Sequence, residues 1–150
     1  MISLQLPSIT TSPQTRQWQG GCLCGHIRYQ IEGDPLLAAI CHCSMCRRAH
    51  AAPLVAWAMF SQSQVVFPRS SPSYYASSAS AQRGFCPICG TQICFIEESL
   101  PDLIDIAIGS LDHPDTLPPT LHYWYSRHLS WAELGDSLPR YPEFPPFPDQ

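Results

Sequence analysis

Cys22-Leu23-Cys24-Gly25 runs straight into His26-Ile27-Arg28-Tyr29-Gln30-Ile31-Glu32. Two thiols one residue apart and a glycine are followed by a strict alternation of polar and apolar side chains. That is a metal knuckle opening a half-buried strand. The pattern recurs at Cys86-Pro87-Ile88-Cys89-Gly90, which leads into β-prone residues 91–96. In each knuckle a tight turn aims two sulfurs at one point. Gly90 supplies the positive φ that such a turn needs, and Pro87 stiffens it. Working outward, a third cluster stands between them: Cys41-His42-Cys43-Ser44-Met45-Cys46.

Seven of the eight cysteines lie in these three clusters. A closed tetrahedral zinc site takes four ligands, so the count divides as four plus three. Cys22, Cys24, Cys86 and Cys89 can share one site, although 62 residues separate Cys24 from Cys86. That site clips the start of the chain to its middle and contributes folding free energy directly. Cys41, Cys43 and Cys46 then form a three-thiolate site with an open fourth position, the arrangement of a catalytic zinc. The expected cofactor is Zn2+, two ions per chain. An iron–sulfur cluster is disfavoured because the ferredoxin spacings are absent.

Disulfides explain the same cysteines poorly. A Cys-x-Cys pair cannot bridge to itself without strain, and residues 1–17 lack a basic start followed by an apolar run. A reducing, cytoplasmic setting is therefore expected. The most apolar stretch, residues 54–60, is too short to span a bilayer, so no membrane is expected as a partner. Net charge is -4, and all eight basic residues are arginines with no basic run, which argues against nucleic acid. With 45% hydrophobic residues, long disorder is not expected.

The dominant period is two. Strands are expected at 54–60, 65–67, 91–96, 103–108 and 121–125, with Ile104, Ile106 and Ile108 on one face. Helix is scarce: Ser44 caps a short helix over 45–50, and residues 131–134 make a single turn. Sixteen prolines and eight glycines break the rest into turns. The expected fold is mainly β, built of small antiparallel sheets with zinc knuckles. Residues 1–17 read as a loosely ordered arm, 18–142 as the zinc-binding domain and 143–150 as a Pro-rich tail. Trp57, Trp124 and Trp131 are expected in the core.

Several side chains admit two roles. His42, His50 or the eighth thiol, Cys94, could close the three-thiolate site; Cys94 also reads as a plain core residue. His42 could instead steady a ligand sulfur or relay protons from behind the site. Arg47 and Arg48 could attract a substrate carboxylate or simply end a solvated helix. Arg28 and Arg83 flank the outer knuckles, where they could bond to sulfur or backbone. Two functions remain in view: an enzyme working at an open zinc, and an interaction module with both sites closed.

Three motifs in fixed order carry a resemblance. Residues 20–29, the cluster Cys41-His42-Cys43-Ser44-Met45-Cys46-Arg47-Arg48 and Arg83-Gly84-Phe85-Cys86-Pro87-Ile88-Cys89-Gly90-Thr91 resemble the glutathione-dependent formaldehyde-activating enzyme family, whose domain is shared with centromere protein V. Softer echoes follow at Gly109-Ser110-Leu111-Asp112 and His122-Tyr123-Trp124. The resemblance implies an Mss4-like fold with two zinc positions. It matches Cys22, Cys24, Cys86 and Cys89 to the structural zinc, and Cys41, Cys43 and Cys46 to the catalytic one. It implies a carbon–sulfur lyase that joins a glutathione-like thiol to formaldehyde or a related small electrophile.

Overall fold

A computed structural model of the chain describes residues 14–146. Residues 1–13 of the expected arm and 147–150 of the expected tail lie outside the described residues. The opening alternation does form a hairpin. β1 (Gln17–Gly21) pairs antiparallel with β2 (Arg28–Glu32), so the first knuckle is the hairpin loop. β5 (Val65–Val66) adds to β2 and completes a three-stranded sheet.

The remaining strands are β3 (Leu37–Cys41), β4 (Val55–Ser61), β6 (Ser73–Ala76), β7 (Ala81–Phe85), β8 (Gln92–Glu97), β9 (Leu103–Ala107) and β10 (Leu121–Tyr123). They form one seven-stranded sheet in the order β10-β3-β4-β9-β8-β7-β6. The second knuckle is again a hairpin loop, between β7 and β8. Within this sheet β10 runs parallel to β3, while the other neighbours are antiparallel.

Alternation sends side chains of the large sheet to two cores. On one face Ala58, Phe60, Ile93, Cys94, Ile104 and Ile106 meet Trp18, Ile27, Tyr29 and Ile31 of the small sheet. A fully buried side chain such as Ile106 or Phe60 is worth roughly 1.5–3 kcal/mol. On the other face Ala39, Cys41, Val55, Trp57, Ala107 and Tyr123 pack with Cys46, which comes from the helix α1 (Ser44–His50). β4 lies between both cores, which is why its sequence is a continuous apolar run.

Four expectations change. The helix cap is Cys43, not Ser44: the Cys43 sulfur accepts the Cys46 backbone N–H. The strand expected over 121–125 stops at Tyr123 because Trp124 takes a left-handed φ of 54°. Residues 131–134 form no helical turn; a bond from Ala132 N–H to the Leu129 carbonyl closes a turn earlier in the chain. Trp131 is 75% exposed there, against its expected place in the core. The chain beyond Ala132 carries no regular element before Arg140, and Asp136 within it is drawn to His122 instead. No helix among the described residues is long and apolar enough to cross a membrane.

Candidate metal centres

The two knuckles converge although they belong to different sheets. The sulfurs of Cys22, Cys24, Cys86 and Cys89 all lie within 4.8 Å of one another. Cys22 to Cys24 is 3.6 Å and Cys24 to Cys86 is 3.8 Å. Four sulfurs at ~2.3 Å from a zinc ion sit about 3.8 Å apart at the corners of a tetrahedron, so the donor set fits such an ion. The loops are alike down to the backbone. Gly25 and Gly90 both adopt φ 79°, and each donates its N–H back to the first cysteine of its knuckle. Thr91 ties the loops together: its hydroxyl accepts the Leu23 N–H at 3.1 Å and donates to the Cys89 sulfur at 3.2 Å. That bond helps hold the Cys89 thiol down at about 5. Thr91 was missed as a site residue; its place one step past the knuckle glycine was the available signal.

The second cluster is built on one continuous stretch. Cys41 ends β3 between Val55 of β4 and Tyr123 of β10. Cys43 then caps α1, and Cys46 comes round from the first turn. The three sulfurs lie within 4.8 Å of one another. Crowding sets the three thiols against one another. Hydrogen bonds from Cys41 and Cys46, with the Cys46 N–H, pull the Cys43 thiol down to about 2, while the Cys41 thiol is pushed up. Arg83 supplies the counter-charge. Both of its terminal nitrogens reach the Cys46 sulfur, at 3.6 and 3.7 Å, and its guanidinium lies 4.8 Å over the Phe95 ring. Among the described residues, no further His, Cys, Asp or Glu side chain joins these three sulfurs as a ligand.

Residues 17–127 match the glutathione-dependent formaldehyde-activating enzyme family. The chain belongs to this family. A protein of Schizosaccharomyces pombe (strain 972) named an uncharacterized lyase is 37% identical over 81 residues, 53% of this chain and 57% of that protein. The match thus spans little more than half of that relative's length. A crystal structure of a Rhodobacter sphaeroides protein aligns with a TM-score of 0.48 at 22% identity, covering 63% of this chain and 87% of that one.

Against the family's three motifs, the side chains with two possible roles now have places. Cys94 is buried in the inter-sheet core, its sulfur 3.8 Å from the Tyr74 hydroxyl, and it joins neither cluster. His50 sets its ring edge-on to Trp57. His42 turns away from the sulfurs. Its Nε2 meets His122 Nδ1 at 2.8 Å, and His122 Nε2 meets Asp136 at 3.0 Å. The buried His42 Nδ1 has no hydrogen-bond partner among the described residues. The two neighbouring arginines part company: Arg47 donates to the Arg127 carbonyl, while Arg48 faces a cavity.

Arg28 and Arg83 differ from expectation in what they contact. Arg28 makes a two-pronged pair with Asp112. Arg83 stands three residues before Cys86 on an extended strand, so alternation points it to the opposite face, toward the other cluster.

Proposed function

We propose that the chain is a zinc-dependent enzyme of the carbon–sulfur lyase kind, adding a glutathione-like thiol reversibly to formaldehyde or another small aldehyde. One observation carries the reading: three sulfurs converge, and no fourth donor among the described residues completes them. Family membership and the lyase name of the yeast relative support it. Cys22, Cys24, Cys86 and Cys89 hold the structural zinc; Cys41, Cys43 and Cys46 hold the working one. A zinc ion held by Cys41, Cys43 and Cys46 would supply the positive charge that lowers the pKa of an incoming thiol. The chain's own groups do the rest. Tyr123 and Val55 fix Cys41 from either side. The cap fixes Cys43. Arg83 offsets negative charge on Cys46 and keeps three thiolates tolerable in a buried place. All eight cysteines are unbridged, which fits the reducing cytoplasm as the place of action.

The test is metal stoichiometry together with X-ray absorption on the purified chain. Two zinc ions are expected, one with four sulfurs and one with three sulfurs plus an exchangeable ligand that becomes sulfur when glutathione is added. Cys43→Ser should stay folded, keep about half the zinc and lose the exchange of formaldehyde with glutathione seen by NMR. Cys89→Ser should unfold or aggregate. Two closed sites, or equal damage from both variants, would make the chain a scaffold rather than an enzyme.

A further inference from the structure

The two Cys-x-Cys turns of this chain treat their middle residue in opposite ways. In Cys22-Leu23-Cys24 the Leu23 side chain is 89% exposed. In Cys41-His42-Cys43 the His42 side chain is 1% exposed. Its ring lies against His122, with centroids 5.1 Å apart, and Tyr125 stands edge-on to it at 4.9 Å. His42 Nε2 meets His122 Nδ1 at 2.8 Å, and His122 Nε2 meets Asp136 at 3.0 Å. The proton between the rings belongs to one or the other, and in neither case does the buried His42 Nδ1 gain a partner among the described residues.

A buried nitrogen left unpaired costs stability, and apolar rings in the same place would avoid that cost. The histidine pair is kept despite it. The hydrogen-bonded chain also reaches the surface. Asp136 is 29% exposed, accepts the Leu138 N–H at 3.0 Å and pairs with Arg140 at 3.2 Å. Arg140 in turn lies 5.3 Å over the Tyr125 ring, on the far side of the ring cluster around His42. Asp136 and Arg140 stand beyond residue 127, where the family match ends.

We infer that Asp136 is a positioning residue for the three-sulfur centre, acting through His122 and His42. This rests on the reading of Cys41, Cys43 and Cys46 as a zinc site. The leverage is local. Peptide planes are rigid, so φ and ψ of His42 set how the plane after Cys41 meets the plane before Cys43. The His42 backbone N–H is held by the Tyr123 carbonyl at 3.1 Å, and its ring is held by His122. Both constraints bear on those two dihedrals. The outer turn needs no such anchor, because the second knuckle brings two more sulfurs and Thr91 holds the Leu23 N–H. The triad has no fourth sulfur among the described residues to lock it. Groups behind a metal site that orient its ligands typically change metal affinity roughly 10–100-fold.

The experiment compares Asp136→Ala with Asp136→Asn in the full chain. Asparagine still accepts from His122 and from the Leu138 N–H; alanine accepts from neither. Asp136 lies in a segment without regular structure, so neither change disturbs a sheet. Zinc is withdrawn by a competing chelator while the amide NMR signals of residues 41–46 and 86–91 are followed, which separates the two sites. Alanine should weaken the three-sulfur site about tenfold and leave the four-sulfur site unchanged. Asparagine should restore the affinity. The nitrogen–nitrogen scalar coupling across the His42–His122 hydrogen bond should fall with alanine and return with asparagine. Unchanged affinity with alanine, equal weakening of both sites, or an asparagine variant as weak as alanine overturns the inference and leaves the zinc reading intact. If the unaltered chain loads no zinc at the triad, the zinc reading fails, and the metal-free chain decides the positioning role. There alanine should shift the amide signals of residues 41–43 and spare those of 22–24; unshifted signals overturn it.

Discussion

Gly84 and Cys94 share one volume. A Cβ on Gly84 would stand 2.3 Å from the Cys94 sulfur. We expect Gly84→Ala to cost about 1–3 kcal/mol by overpacking. Adding Cys94→Ala should recover most of it, because the two substitutions couple through the same space. Urea unfolding of the two singles and the double measures this. Cys94→Ala alone should keep two zinc ions by metal analysis; loss of one would return Cys94 to the ligands. At this scale the sequence was uneven. The seven clustered cysteines declared themselves by spacing, and Cys94 could be placed in the core from its β-prone surroundings. The target of Arg83 could not be read, because it depends on which face of β7 meets α1. The pairing of His42 with His122, 80 residues away, was equally out of reach.

The helix α1 has seven residues, too few to persist by its own hydrogen bonds. Its ends show what holds it. Cys43 closes the first turn, and Ala51 closes the last in a left-handed conformation, φ 48°. A Cβ is strained there, so Ala51→Gly should stabilise the chain by about 0.5–1 kcal/mol, read as a rise in unfolding midpoint. Zinc binding should rigidify the same helix. Stripping the three-sulfur site with a chelator should speed amide exchange over residues 44–50 and leave β4 and β9 protected. Uniform loss of protection would deny the helix its dependence on the metal. The short helix was legible from the cluster, yet its neighbour β3 was not. Leu37-Ala38-Ala39-Ile40 has no alternation and little β propensity, because both of its faces are covered. β7 was hidden by its polar residues and by Gly84. The parallel pairing of β10 with β3 left no local trace in either strand.

Across the molecule, the large sheet keeps a carboxyl on the face it shares with the triad. Asp105 sits in β9 between Met59 and Phe95, with Arg83 beyond Phe95 and Tyr123 toward Cys41. Burial pushes it up from 3.8 to about 7. The folded chain therefore holds a proton that the unfolded chain releases, and stability falls as pH climbs from about 4 to 7. Above that window the cost is fully felt. Asp105→Asn should stabilise the protein by on the order of 2 kcal/mol at pH 8 and by little at pH 4, compared in urea at both pH values. An equal gain at both would mean that the carboxyl is well solvated.

The same sheet orders events in time. The last of the four outer thiols is Cys89, whereas β3, which carries Cys41, gains its outer neighbour only from residues 121–123. That neighbour is in turn bonded by Pro139 and Tyr141. During synthesis, which runs from the N-terminus, the four-sulfur site can close while the strand behind the triad still lacks its partner. A ribosome-bound nascent chain stalled with residue 100 exposed should therefore take up one zinc ion tightly, at the outer site. On the proposed assignment the outer site would fill before the three-sulfur centre is complete, so a half-made protein would carry no open metal.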